Sequence, residues 1–341
     1  MNIQLKRIIN YSFLIINSTV LNAQLKWINV DSLYQPLPSS VHVFKTTDTL
    51  NGKPNIAFYV IADLKDKKLV FDVDTTHKRR LTPKQFYTKR CDEFPGNACF
   101  FPLVIVNTTF FSFQTNQNLN VVVKDGKLVG YNIHTIPGRG KDTFTYRHPF
   151  VSAIGISKKR KTDIVWTYTD SIQEYPYALH SPFDFIKDSI AKPSWEYIIE
   201  KTTIMRPVSG RFEPLGNRWK VKTAVGGGPV LLQKGEIKIT NNEEIKFAGN
   251  AINDKHPRTA MGYTKDKKLI ILVVQGRFNG IAEGATLTQE AKILQDLGCW
   301  EALNLDGGGS SCMLVNGKET IKPSDATGQR AVPAVFLIKK R

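Results

Sequence analysis

The run Trp300-Glu301-Ala302-Leu303-Asn304-Leu305-Asp306-Gly307-Gly308-Gly309-Ser310-Ser311 spells a strand that ends in a glycine-rich loop. Leu303 and Leu305 alternate with Asn304 and Asp306, so the leucines take one face and the two polar side chains the other. An acid and an amide at a strand end beside three glycines make a site pattern, not a core pattern. Immediately upstream lies the clearest helix in the chain. Thr286 or Thr288 can cap its start, Leu287, Ala291, Leu294 and Leu297 recur at helical spacing, and Gly298 can end it.

Further out the signals are for strands. Val230 to Gln233, Thr259 to Tyr263 and Leu269 to Gln275 are apolar β-rich runs, and Leu103 to Val106 leads into Asn107. Asn55 to Asp63 and Lys68 to Asp74 read as a hairpin, as do Val121 to Lys124 and Lys127 to Tyr131 around Asp125-Gly126. Ser152 to Ile156 and Ile164 to Tyr168 bracket the basic turn Lys158-Lys159-Arg160-Lys161, read as a solvated loop tip. The pattern predicts an α+β fold: a large mixed or antiparallel sheet with few helices, and Gly-rich loops at strand ends forming a cleft. No period of 20 to 50 residues repeats, which argues against solenoids and propellers.

Basic Lys6 and Arg7, an apolar stretch from Ile8 to Leu21, and Ala23 stand in the order of an export signal. The expected organisation is a signal peptide over 1–23, an N-terminal extension over 24–55 and the main domain over 56–341. Within the latter, the aromatic and Pro-rich stretch 170–220 reads as a lid or binding wall. Export implies a periplasmic or extracellular protein. It also permits disulfides, and Cys91 with Cys99 across a turn-rich loop is the expected pair.

Formal charge is +17 over 341 residues, which favours anionic partners through a long-range, salt-sensitive field. No zinc-finger, helix-turn-helix or RNP-like motif points to nucleic acid. No apolar stretch is long enough for a membrane span. No His/Cys grouping has metal-site spacing, so no metal is expected.

Gly226-Gly227-Gly228-Pro229 is a second glycine triplet before a strand. Neither triplet is a P-loop or a dinucleotide fingerprint, so no cofactor is expected. Arg258 after His256-Pro257, and Arg277 after Gly276, lie beside apolar strands where a guanidinium could clamp phosphate or carboxylate.

Together, Val225 to Pro229, His256-Pro257-Arg258-Thr259-Ala260, Gly276-Arg277 and Ala302 to Ser311 resemble the phosphodiester glycosidase family. The resemblance implies hydrolysis of a sugar-1-phosphodiester or related glycoside, with a phosphorylated or anionic glycan as substrate. Where the family usually has Asn-Gly-Gly-Phe-Phe, this chain has Asn107-Thr108-Thr109-Phe110-Phe111. Where it has Asp-Gly-Arg and a helix-opening glutamate, this chain has Gln275-Gly276-Arg277 and Gln289.

A glycosyl phosphodiester expels a phosphate that is already a good leaving group, so stabilising charge matters more than protonation. The expected catalytic residues are therefore Asp306, as nucleophile or base toward water, with Arg258 and Arg277 on the phosphate. Glu283 is the second acid considered. Asn107, Gly226, Gly227, Gly228, His256, Asn304, Gly307, Gly308 and Ser310 are the expected substrate contacts. The competing reading is a non-catalytic glycan binder that keeps the fold, favoured by Gln275 and Gln289.

Overall fold

A computed structural model describes residues 24–76, 78–92, 102–169, 174–204 and 216–341. The export signal and residues 93–101, which include Cys99, lie outside the described residues. The other two cysteines, Cys299 and Cys312, are buried free thiols.

Four antiparallel sheets are described, and the three largest enclose one apolar core to which Ile186 of the small three-stranded sheet also contributes. An eight-stranded sheet runs in the order Ile28–Asn29, Val41–Thr46, Ala57–Asp63, Lys268–Val274, Arg258–Thr264, Cys299–Asn304, Val230–Gln233 and Glu236–Ile237. A seven-stranded sheet is centred on Val151–Ile156 and Thr162–Tyr168, and a five-stranded sheet on Val104–Asn107 and Ala334–Lys340. Phe58 and Val60 from the first sheet, Ile154 and Trp166 from the second, and Val104 and Phe336 from the third meet in the same core. The last strand shows the logic: Ala334, Phe336 and Ile338 face this core, while Val335 and Leu337 face a smaller cluster holding Phe86 of the Pro83–Asp92 helix. A strand buried on both faces has to read as a continuous apolar run.

The Leu287–Asp296 helix covers the outer face of the eight-stranded sheet, placing Leu287, Ala291 and Leu294 against Ala260, Leu272 and Ala302. Thr286 is its N-cap and Gln289 closes a capping box: Gln289 N donates to Thr286 Oγ1 at 3.1 Å and Thr286 N to Gln289 Oε1 at 3.0 Å. Asp125 and Gly126 both take positive φ, as a tight two-residue hairpin turn requires.

Three expectations need correction. The run Asn55 to Asp74 is not a hairpin, because Ala57–Asp63 lies in the eight-stranded sheet and Leu69–Thr75 pairs with Ala334–Lys340 in the five-stranded one. The stretch read as an N-terminal extension supplies two strands, and Val41–Thr46 pairs in register with Ala57–Asp63. The described parts of 170–220, expected as a lid or binding wall, are built into the sheets and the core. Tyr177–Leu179 joins the seven-stranded sheet, and Trp195, buried in the main core, stacks on Tyr177 at 3.9 Å between ring centroids.

Candidate active site

Asn107, Gly226 and Asn304 each end a strand of a different sheet, and the backbone ties these ends together. Gly228 N donates to Asn304 O at 2.8 Å, and Asn304 N donates to Pro229 O at 3.1 Å. The Asn304 side chain donates to Gly228 O at 2.7 Å. Asn107 is fully buried: its Nδ2 donates to Asp306 O at 2.6 Å, while its Oδ1 accepts from Thr259 Oγ1 and Cys312 N, both at 3.0 Å. Asp306 N donates in turn to Thr108 O at 2.8 Å. The backbone of Asp306 is thus held from both sides, which fixes where its carboxylate projects.

That carboxylate is half-buried, and desolvation pushes its pKa up to about 7 against the pull of Ser310, Arg330, the Gly307 amide and Lys246. The Ser310 hydroxyl is buried near it but makes no well-aligned hydrogen bond. Lys246 is the complementary group: burial pushes its pKa down to about 8, against the charges of Glu244 and Asp306. Its ammonium stands 4.7 Å from the centre of the Phe110 ring.

The chain delivers Lys246 through an unusual turn. Ile245 has φ +50°, rare for a β-branched residue, so Glu244 points inward and Lys246 reaches the glycine loop. Glu244 is buried and accepts from Ser152 N, Ser152 Oγ, Trp166 Nε1, Val230 N and Thr240 Oγ1, at 2.6 to 3.2 Å. Gly228, at φ +112°, must be glycine: a β-carbon there would strike both Glu244 and Lys246.

Arg277 is exposed, takes φ +67°, and lays its guanidinium over Gly308, where a β-carbon would lie 2.9 Å from Nη2. No ion-pair partner holds it among the described residues. Gly309 is overlain by Arg330, which makes a two-pronged pair with Asp325 at 2.7 and 2.8 Å. Gly307 packs on Pro257 O, and Gly308 N donates to that carbonyl at 2.8 Å. His256 is held below its ordinary pKa by desolvation and by Arg258 and Arg277, so its imidazole is neutral near pH 7.

Arg258 spends its guanidinium on backbone carbonyls. Its side chain is 2% exposed, donates to Ala285 O at 2.8 Å and Asp254 O at 2.9 Å, and packs on Phe247 at 5.8 Å, with Glu290 as its nearest opposing charge. Strand alternation sets this direction, since Arg258 and Ala260 share the helix-facing side while Thr259 faces Asn107. Asn107 and Asn304 are both fully buried and donate their amide N–H to backbone carbonyls, while Asn304 Oδ1 has no hydrogen-bond partner among the described residues. Gly226 and Gly227 pack against Asn120 and Leu305 and carry the chain from one sheet to the next. Glu283 faces Lys255 at 3.3 Å and Lys53 at 4.0 Å rather than Asp306. Gln275 accepts from Lys322 N at 2.9 Å, and Gln289 closes the capping box of its helix.

Lys246, Glu244 and Arg330 escaped the sequence analysis. The signal for the first two was present in Glu244-Ile245-Lys246-Phe247, where charged and apolar residues alternate without a turn residue. For Arg330 no local pattern exists.

Three antiparallel sheets whose ends and glycine loops surround one desolvated carboxylate, with cations on several sides, define an α+β protein with an anion-attracting polar site. Residues 190–339 are similar to the phosphodiester glycosidase family. It is 41% identical over 87 residues to the SPbeta prophage-derived uncharacterized protein YomE of Bacillus subtilis, covering 26% of this chain. It is 26% identical over 128 residues to mouse N-acetylglucosamine-1-phosphodiester alpha-N-acetylglucosaminidase, covering 37% of this chain. These alignments span only 13% and 24% of the two relatives' own lengths. The fold is similar to the catalytic domain of the zebrafish N-acetylglucosamine-1-phosphodiester alpha-N-acetylglucosaminidase, with TM-score 0.52 and 22% identity over 94% of this chain and 89% of that one. It is also similar to a Synechocystis protein, with TM-score 0.54 and 15% identity over 89% of this chain and 62% of that one.

Proposed function

We propose that this protein hydrolyses a glycosyl phosphodiester outside the cytoplasm, at a cleft around Asp306. The observation that carries the reading is the desolvated Asp306 carboxylate at the loops where three sheets meet, raised to about 7, with Lys246 among the charges that act on it. The bond between the anomeric carbon and the phosphate oxygen breaks, the leaving phosphate keeps the electron pair, and water supplies the replacing hydroxyl. Ionised Asp306 serves the anomeric carbon as nucleophile or as base toward that water. Protonated Lys246 and the unpaired Arg277 stabilise charge on the departing phosphate.

Asp306 must be ionised and Lys246 protonated, so turnover should rise through about pH 7 and fall above about pH 8. Asp306→Asn should abolish hydrolysis of an N-acetylglucosamine-1-phosphodiester, and Lys246→Met should remove the alkaline limb while lowering kcat by roughly 10²-fold. Both are read from pH–rate profiles. Wild-type turnover in Asp306→Asn would rule out its catalytic role.

Export rests on the order of Lys6-Arg7, the apolar stretch and Ala23. The secreted protein should begin at Gln24 by intact mass, and retention of residues 1–23 in that material would refute it.

A further inference from the structure

The cations around Asp306 do not stop at the carboxylate. Arg330, which overlies Gly309, also stacks over Phe113 at 5.4 Å from the ring centre. Arg80 flanks the same ring at 5.3 Å and the neighbouring Phe111 at 5.2 Å. Phe111 is buried and contacts Phe113 at 4.8 Å between centroids, whereas Phe113 is 62% exposed. An exposed phenylalanine with two guanidinium groups beside its ring has no role in the core, and leaving it in water costs hydrophobic free energy. Asp325 neutralises Arg330, but among the described residues Arg80 has no ion-pair partner. The strip therefore carries one uncompensated, stacked guanidinium beside an apolar ring.

Phe113 belongs to a loop that begins at the site itself. Thr108 O accepts from Asp306 N, Thr109 is hydrogen-bonded to Asn118, and Phe111 bridges to Asn118. The far side of this loop lines a groove of about 450 Å³ with Thr76, Lys78, Gln117, Asn118 and Tyr131 on its walls. Lys78, Gln117 and Asn118 supply polar and cationic groups, and Tyr131, 42% exposed, adds a second aromatic surface. Aromatic surface interleaved with amides and cations suits a sugar ring that bears a negative charge.

We propose that Arg80, Phe113 and Arg330 form a second subsite that takes a further anionic sugar of the substrate, bearing phosphate or carboxylate, beyond the phosphodiester that is cleaved. This deepens the proposed hydrolase reading by making the substrate a charged oligosaccharide or polymer, with Phe113 under the sugar ring and Arg80 on its anionic group.

The test is equilibrium binding rather than turnover, so it stands apart from the hydrolase reading. That reading is checked separately by hydrolysis of a minimal sugar-1-phosphodiester. Chitotetraose carrying one 6-phosphate is compared with neutral chitotetraose by calorimetric titration at physiological salt. The wild type should prefer the phosphorylated probe by roughly tenfold, as a charge-assisted contact supplies. Arg80→Ala and Phe113→Ala should each cut that preference below about threefold, with Arg80→Lys in between because a point charge lacks the planar fork. Lys159→Ala removes the same charge from an exposed turn elsewhere and should leave the preference intact. No preference in the wild type, a retained preference in both Arg80→Ala and Phe113→Ala, or an equal loss in Lys159→Ala would overturn the proposal. Thermal melts of each variant separate these results from unfolding.

Discussion

Glu290 is the residue whose environment contradicts its chemistry most. It is fully buried, neither carboxylate oxygen has a hydrogen-bond partner, and desolvation pushes its pKa up to about 8 despite Arg258. A folded-state pKa above the unfolded value means that the native state holds its proton more tightly. The stability this confers is complete below about pH 4.5 and is lost as pH rises through about 8, at roughly 1.4 kcal/mol per pH unit. Asp306 adds a loss of the same sign up to about pH 7. Glu290→Gln keeps the neutral shape, so it should raise stability at pH 8.5 and flatten the pH dependence that remains above pH 7. Urea midpoints at pH 7 and pH 8.5 test this, and an unchanged difference between them would refute it. The pattern of helical spacing around Leu287 and Ala291 was legible in the sequence. The burial of a glutamate on that helix was not, because glutamate ordinarily marks the wet face.

Among the elements, the basic turn at 157–161 behaves differently from a solvated tip. Arg160 takes φ +60° and turns its guanidinium back to donate to Leu64 O, Asp66 O, Lys67 O and Leu69 O, at 2.5 to 3.5 Å. It also stacks over Phe71 at 5.5 Å. One side chain thus ties the Val151–Ile156 and Thr162–Tyr168 hairpin to the crossover between the other two sheets. Lys158 and Lys159 remain exposed, as a charge run predicts. Arg160→Ala should cost about 1–3 kcal/mol, since it strands several partly buried carbonyls, and Lys159→Ala should cost close to nothing. Differential scanning calorimetry of the two variants distinguishes a tie from a tip. Local pattern could not separate them, because all four residues of Lys158-Lys159-Arg160-Lys161 are equally basic in the sequence.

For the whole molecule, the three-sheet arrangement depends on Asn107. One buried amide joins the five-stranded sheet to Asp306, Thr259 and Cys312 of the opposing chain segments. Asn107→Ala leaves the Cys312 N–H and the Asp306 carbonyl without their partners inside the core. The expected cost is roughly 2–4 kcal/mol, together with a fall in turnover because Asp306 loses its anchor. Denaturant melts and kinetics on the same preparation check both effects, and a change in turnover without a change in stability would assign Asn107 to substrate contact instead.

The amino-acid sequence by itself determined the strands and the capped helix that carry the site, through alternation, helical spacing and turn chemistry. It also singled out the Asn304-Leu305-Asp306-Gly307 junction and Arg277, whose guanidinium lies over Gly308. These are local signals, written within a dozen residues. Only the tertiary structure decided that Asn55 to Asp74 divides between two sheets, that Arg258 turns toward the helix, and that Lys246 and Arg330 reach Asp306. The physical reason is the same in each case. Which sheet a strand joins, and which face of it looks into the core, is set by pairing across long sequence separations. A polar side chain acquires its role from the burial and charge around it, and residues distant in the sequence supply both.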